Sequence, residues 1–233
     1  MIYVTGDMHG GIDIHKMSTK RFPEQKTMTK NDYVIVCGDF GLVWDKPGDK
    51  YYNEQQYWIK WLNSKPFTTL FVDGNHENFD ILNTIPEVEM FGDVVGKVSD
   101  SIYHLKRGRV YTIDGKKIFT MGGAYSHDKE YRVENVSWWV QEVPNQAERY
   151  MAMDNLAEHN FEIDYIISHC AGKETIEKIS EYIDYDEYTK FFDIIDKKTT
   201  YKHWYFGHYH EDETIDDKHT VIYNCIFPIG ETI

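Results

Sequence analysis

Cysteine is scarce in this chain of 233 residues: Cys37, Cys170 and Cys225 stand far apart and form no Cys-x-x-Cys pair. An odd count at such spacing argues against a disulfide framework and predicts a reducing compartment. Long apolar runs are missing as well. None approaches the ~20 residues a membrane span needs. The start, Ile2-Tyr3-Val4-Thr5, lacks the basic segment followed by an apolar one that marks a secretory leader. Basic residues are outnumbered, 25 against 39 acidic ones, for a formal net charge of −14. Such a surface repels polyanions and argues against non-specific nucleic-acid binding. A small phosphorylated substrate stays open, because bound divalent cations would reverse the local field. The expectation is a soluble, cytoplasmic protein with no membrane partner. Oligomeric state is not legible.

What is present is a globular composition, 41% hydrophobic and rich in Tyr and Phe. The length suits one large domain over residues 1–233, able to bury roughly 70% of its unfolded surface without staples. Short apolar runs recur along it: Ile2–Thr5, Asp32–Cys37, Phe67–Val72, Tyr165–Ser168 and His203–Phe206. Their continuous apolar character is that of buried parallel strands.

Each run ends in residues able to hold a cation. Asp7 and His9 follow the first and, two apart in an extended segment, share a side. Alone, such a pair reads better as a turn in which Asp7 accepts backbone amides. Gly38-Asp39-Phe40-Gly41 follows the second run, Asp73-Gly74-Asn75-His76-Glu77 the third, His169 the fourth, and Gly207-His208-Tyr209-His210 the fifth. The carboxyl ends of strands are where open α/β sheets collect ligands. Five such ends carrying Asp, Asn or His predict one convergent site. Gly74 is expected there because it allows a sharp turn.

Between these runs, helices are expected over Asp13–Arg21, Tyr51–Asn63, Asn78–Asn83, Pro144–His159, Lys173–Ile179 and Asp186–Lys197. Tyr57, Trp58, Trp61 and Leu62 form the buried face of the second. Ile102–Leu105, Val110–Ile113 and Lys117–Met121 are expected as one antiparallel meander, with Asp114-Gly115 as a hairpin turn. Thr214–Ile215 and Thr220–Tyr223 are expected as a last hairpin. Ser180–Tyr188 reads as solvated surface. The long loop from Tyr125 to Val143 holds His127, Arg132, Trp138 and Trp139, and long loops are often functional. His127 and Arg132 are candidate substrate contacts, the arginine through its planar bidentate donors. His15, His104, His159, His203 and His219 read as surface or hydrogen-bonded core residues.

The ordered blocks Asp-x-His, Gly-Asp, Gly-Asn-His-Glu, His and Gly-His-x-His, from Asp7 to His210, resemble those of the calcineurin-like metallophosphoesterase superfamily, particularly its small bacterial and phage members. The resemblance implies a four-layer α/β/β/α sandwich with two mixed sheets. It implies that Asp7, His9 and His210 bind one metal, that Asn75, His169 and His208 bind another, and that Asp39 bridges them. Imidazole and carboxylate donors favour Mn, or Fe, Zn, Co or Ni, over Mg. The reaction implied is in-line attack on phosphorus by a hydroxide held between two divalent ions. His76 would stabilise the transition state or protonate the leaving oxygen. The Asp-Arg pair of the protein-phosphatase branch is absent, since Leu42 follows Gly41. Asp45 is the candidate partner of His76. The expected activity is hydrolysis of a small phosphodiester, a nucleotide or cyclic nucleotide. The alternatives are a phosphomonoesterase, including a protein phosphatase, with Lys129 and Arg132 as extra cations, and a metal-binding interaction module on the same fold.

Overall fold

A computed structural model of the chain describes residues 1–179 and 186–233. In order, the elements are β1 (Ile2–Thr5), β2 (Tyr33–Val36), α1 (Tyr52–Asn63), β3 (Thr68–Phe71), α2 (Phe79–Leu82), β4 (Glu87–Met90), β5 (Asp93–Ser99), β6 (Ile102–Leu105), β7 (Arg109–Ile113), β8 (Lys116–Met121), α3 (Gln146–Glu158), β9 (Tyr165–Ser168), α4 (Lys173–Ile176), α5 (Glu187–Lys198), β10 (His203–Phe206), β11 (Glu213–Thr214), β12 (His219–Val221) and β13 (Ile226–Pro228). They build two mixed sheets. One runs β13-β1-β2-β3-β6-β5-β4 and the other β11-β12-β10-β9-β8-β7. In each the central strands are parallel and the edges antiparallel.

Side-chain alternation along each strand sorts the core into layers. On β1, Ile2 and Val4 face a shared apolar layer that also takes Tyr111, Ile118, Ile167 and Tyr205 from the second sheet. Tyr3 points the other way, among Leu62 of α1 and Phe22. On β10, Tyr205 joins the central layer while Trp204 and Phe206 pack with Phe192 and Ile195 of α5. Sheet lies on sheet with helices outside, the expected α/β/β/α sandwich.

Several local expectations fail for tertiary reasons. The expected meander is divided between the sheets. β6 pairs in parallel with β3 in the first sheet, while β7 and β8 form a hairpin in the second. Glu87–Met90 and Asp93–Ser99, unassigned from the sequence, extend the first sheet. Ile14–Met17 is a single 3₁₀ turn rather than a helix through Arg21. Tyr57 is exposed, so the buried face of α1 rests on Leu62 with Trp58 and Trp61 half-buried. α3 starts after Asn145, whose side chain accepts from the Glu148 amide in a capping box, so Pro144 lies outside the helix. Residues 180–185 of the expected acidic surface lie outside the described residues; Asp186 caps α5 and Tyr188 is buried against Phe192.

Candidate metal centre

Strands β1, β2 and β3 are neighbours in one sheet, and β9 and β10 in the other. Their carboxyl ends open onto one edge of the sandwich. Asp7, Asp39, Asn75 and His169 are all buried there, with His9 and His208 partly so and His210 half open to solvent. One carboxylate sits between two imidazoles from different sheets. Asp39 Oδ2 is 3.3 Å from His9 Nε2, and Asp39 Oδ1 is 3.3 Å from His169 Nε2. Asp7 Oδ2 lies 3.2 Å from His210 Nε2, while its Oδ1 accepts from the His208 amide at 2.9 Å. Donor atoms of Asp7, His9 and His210, and separately of Asp7, Asp39 and His169, lie within 4.8 Å of one another.

The outer ring nitrogens are tied down, which fixes what the inner ones can do. His9 Nδ1 meets Asp13 Oδ2 at 2.8 Å, and His169 Nδ1 meets the Cys37 carbonyl at 2.8 Å. Both rings thus turn Nε2 inward, as second-sphere partners do around metal-binding histidines. The Asn75 oxygen is 3.0 Å from His169 Nε2, and its amide donates to Ser126 Oγ. The backbone is strained here. His9, Asp39, His208 and His210 all have φ between +45° and +72°, a region that side chains with Cβ rarely adopt.

The buried carboxylates favour positive charge on the imidazoles around them. Burial opposes a charged His169, yet Asp39 and Asp7 overcome it and push the imidazole up to about 10. His9 is likewise pushed up to about 9 against its burial, by Asp39 and Asp13. Burial would raise the Asp39 carboxyl, but His169 and His9 hold it well below the usual range. His208, buried and beside His169, drops to about 3. Two buried carboxylates with inward imidazole nitrogens, donor atoms within 4.8 Å of one another, fit divalent ions.

Residues 1–212 match the family described as calcineurin-like phosphoesterase. The chain belongs to that family. Among curated relatives, it is similar to lariat debranching enzyme A of Xenopus laevis, 31% identical over 137 residues, covering 54% of this chain and 24% of that protein. It is also similar to the lariat debranching enzyme of Schizosaccharomyces pombe, 29% identical over 140 residues, covering 53% and 26%. The match therefore spans about a quarter of those relatives' own length. A solved Staphylococcus aureus chain assigned as a 5'-nucleotidase, in complex with alpha-ketoglutarate, covers 95% of this chain and 47% of its own, at 13% identity and a TM-score of 0.46.

In this calcineurin-like phosphoesterase, His76 stands beside the cluster, its ring 5.8 Å from that of His9. Its neighbour is not Asp45. Arg132, from the long loop, reaches it instead, with Nη1 2.7 Å from Nδ1 and Nη2 3.2 Å from Nε2. Asp45 is held elsewhere, its amide donating to Gln55. Burial lowers the His76 pKa, and Arg132 adds to the lowering against the pull of Asp39. Asp128 and the Ser137 carbonyl anchor the guanidinium. Trp139 roots the loop in the core, edge-on to Trp44. His127 stacks loosely on His208, ring centres 6.1 Å apart, and Lys129 lies over the Tyr125 ring rather than near His76.

Sequence reasoning missed the residues that hold the loops together. Glu77 is fully buried and accepts from the Phe40 and Gly41 amides at 2.7 and 3.2 Å, joining the third loop to the second. Asp73 is clasped by Arg107 and His104. Lys16 donates to the carbonyls of Gly6, Asp7 and Tyr223. Only Asp13 had a local signal, four residues after His9. Gly74 is needed for a reason other than the expected turn. A Cβ there would lie 2.0 Å from Asp39 Oδ1, so the glycine makes room for another loop's carboxylate. Gly38 does the same for His169, at 2.0 Å from Nδ1, and also has φ +103°.

Proposed function

We propose that this chain, acting as one domain over its whole length, is a dinuclear metal-dependent phosphoesterase that hydrolyses a small phosphodiester. The observation that carries the reading is the position of Asp39, one oxygen toward His9 and the other toward His169. Asp7, His9 and His210 would hold one ion and Asn75, His169 and His208 the other, with Asp39 between. Closure of the first sheet by the C-terminal β13 against β1 supports the single domain. The carboxylate and amide oxygens suit Mn, with Fe, Zn, Co or Ni as the alternatives that the imidazoles favour. When bound, two such ions supply charge neutralisation for the phosphoryl oxygens and acidify a water.

The protein's own groups do the rest. His76, kept neutral beside Arg132, offers a hydrogen bond to the phosphoryl group rather than a resident proton. The guanidinium turns from His76 onto a phosphoryl oxygen when substrate arrives, since it cannot lose its proton and has bidentate donors. With Lys129 engaged by Tyr125, one arginine matches the single charge of a diester.

The test is hydrolysis of bis-p-nitrophenyl phosphate and p-nitrophenyl phosphate with Mn or with EDTA. Diester turnover that needs Mn and falls at least 100-fold in His76→Ala is expected. Faster monoester turnover would promote a phosphomonoesterase. No turnover despite bound metal would leave an interaction module.

A further inference from the structure

On the His9 side of the centre lies a cavity of about 490 Å³. That is within the roughly 300–1,000 Å³ usual for small-molecule sites and far more than a phosphoryl group fills. His9 and Gly10 form one end of it, so a group esterified to a phosphoryl at the metal centre can reach in. Trp44, Trp58, Tyr51, Leu42 and Ile12 supply flat and apolar walls. Ile12 and Tyr51 are 77% and 54% exposed, and the Lys50 ammonium lies 4.6 Å from the centre of the Tyr51 ring. Beyond His9 at the metal centre, the titratable carboxyl side chains in the lining are Asp45 and Glu54. Lys50, beside Tyr51 in sequence, donates to the Tyr51 hydroxyl at 2.8 Å.

The wall is built rather than incidental. Gln55, buried on α1, accepts from the Trp44 and Asp45 amides at 2.8 Å each and donates to the Asp45 carbonyl at 3.2 Å. Trp44 is held a second time, edge-on to buried Trp139 at 5.4 Å. Gln55 is thus a positioning residue for the indole and carboxylate that face the cavity. Aromatic planes stack on bases, and carboxylates accept from base or ribose N–H and O–H groups while repelling a further phosphate.

We propose that this cavity is the substrate's nucleoside subsite, taking one uncharged nucleoside and excluding a second phosphate. The proposal rests on the metal-centre reading for its phosphoryl neighbour. It narrows the substrate to a mononucleotide ester or cyclic nucleotide rather than an oligonucleotide.

The test is calorimetric titration of the Mn-loaded protein with the four common nucleoside 5'-monophosphates, ribose 5-phosphate and the 3',5'-bisphosphate of the best-binding nucleoside. At least one monophosphate should bind ten times more tightly than ribose 5-phosphate, and the bisphosphate at least three times more weakly than that monophosphate. Tyr51→Ala and Ile12→Ala, both at exposed side chains, should each shrink the monophosphate advantage several-fold. Glu54→Gln should recover bisphosphate binding. If no monophosphate outbinds ribose 5-phosphate, or nothing binds at all, the subsite is refuted. If ribose 5-phosphate binds equally with Mn or EDTA, the metal centre fails, and base discrimination still judges the subsite.

Discussion

At the residue scale, the centre depends on groups that touch no phosphate. Glu77 spans two loops from a fully buried position. Its removal strands the Phe40 and Gly41 amides, each worth ~1–3 kcal/mol when left unpaired. Glu77→Ala should therefore lose ~2–6 kcal/mol in urea unfolding, whereas Glu77→Gln keeps one acceptor and loses less. Gly74→Ala should lower Tm and lose metal, because its methyl would meet both the Asp39 carboxylate and the Asp39 backbone nitrogen, 2.4 Å away; thermal unfolding and the metal content of purified protein read this directly. The motif residues themselves were legible because donor identity is covalent and strand ends are local features. Glu77, Lys16 and Asp73 were not legible as ties, because their partners lie on other elements, up to 207 residues away for Lys16 and Tyr223.

The element scale is where the long loop and the strand-end network act. Asp73 leaves β3 and carries a carboxylate held low by Arg107 and His104 against the burial that would raise it. Its backbone carbonyl also accepts from the Gly123 amide, tying β3 to the end of β8 in the other sheet. Asp73→Asn leaves buried Arg107 with only Glu148, at a longer 3.4 Å, as charge partner, a loss of up to ~3–5 kcal/mol for a broken buried pair, with thermal unfolding as the readout. Trp139→Ala, in contrast, should loosen residues 125–143 selectively. Hydrogen exchange in that loop should quicken, and diester kcat/KM should fall about tenfold as Arg132 loses its position over His76. Most helix and strand identities were readable from period, but β4 and β5 were not, and the helix expected over Asp13–Arg21 is a single 3₁₀ turn. Nor was the split of the expected meander readable, since β6 and the β7–β8 hairpin differ only in which sheet they join.

For the whole molecule, the clearest consequence is pH-dependent metal linkage. His9 and His169, raised to about 9 and about 10, are protonated in the metal-free fold at neutral pH. A raised pKa means that their contribution to stability is complete below the unfolded value near 6.5 and is lost as pH climbs through 9 to 10. The metal-free protein should therefore lose Tm from pH 6.5 to 10. Ions that take the place of those protons should hold the loaded protein steady, so the Tm gap widens with pH. Calorimetry in buffers of different ionisation heat should find about two protons released per loaded centre at pH 7. At 100 Kd of free metal the gain is ~2.7 kcal/mol, or roughly 5–11 °C for a chain this long. Among the described residues no helix is long and apolar enough to cross a membrane.

The sequence by itself determined the candidate donors, their order and their placement after buried parallel strands, along with the acidic charge. Those follow from side-chain chemistry and from periodicities of a few residues. Tertiary structure alone decided which donors face one another, that Arg132 rather than Asp45 meets His76, and that Gly38 and Gly74 serve their neighbours' side chains. It also decided that an acidic aromatic cavity flanks His9. Ångström distances between loops are set by how two twisted sheets stack on a shared apolar layer, and no local run of residues contains that packing.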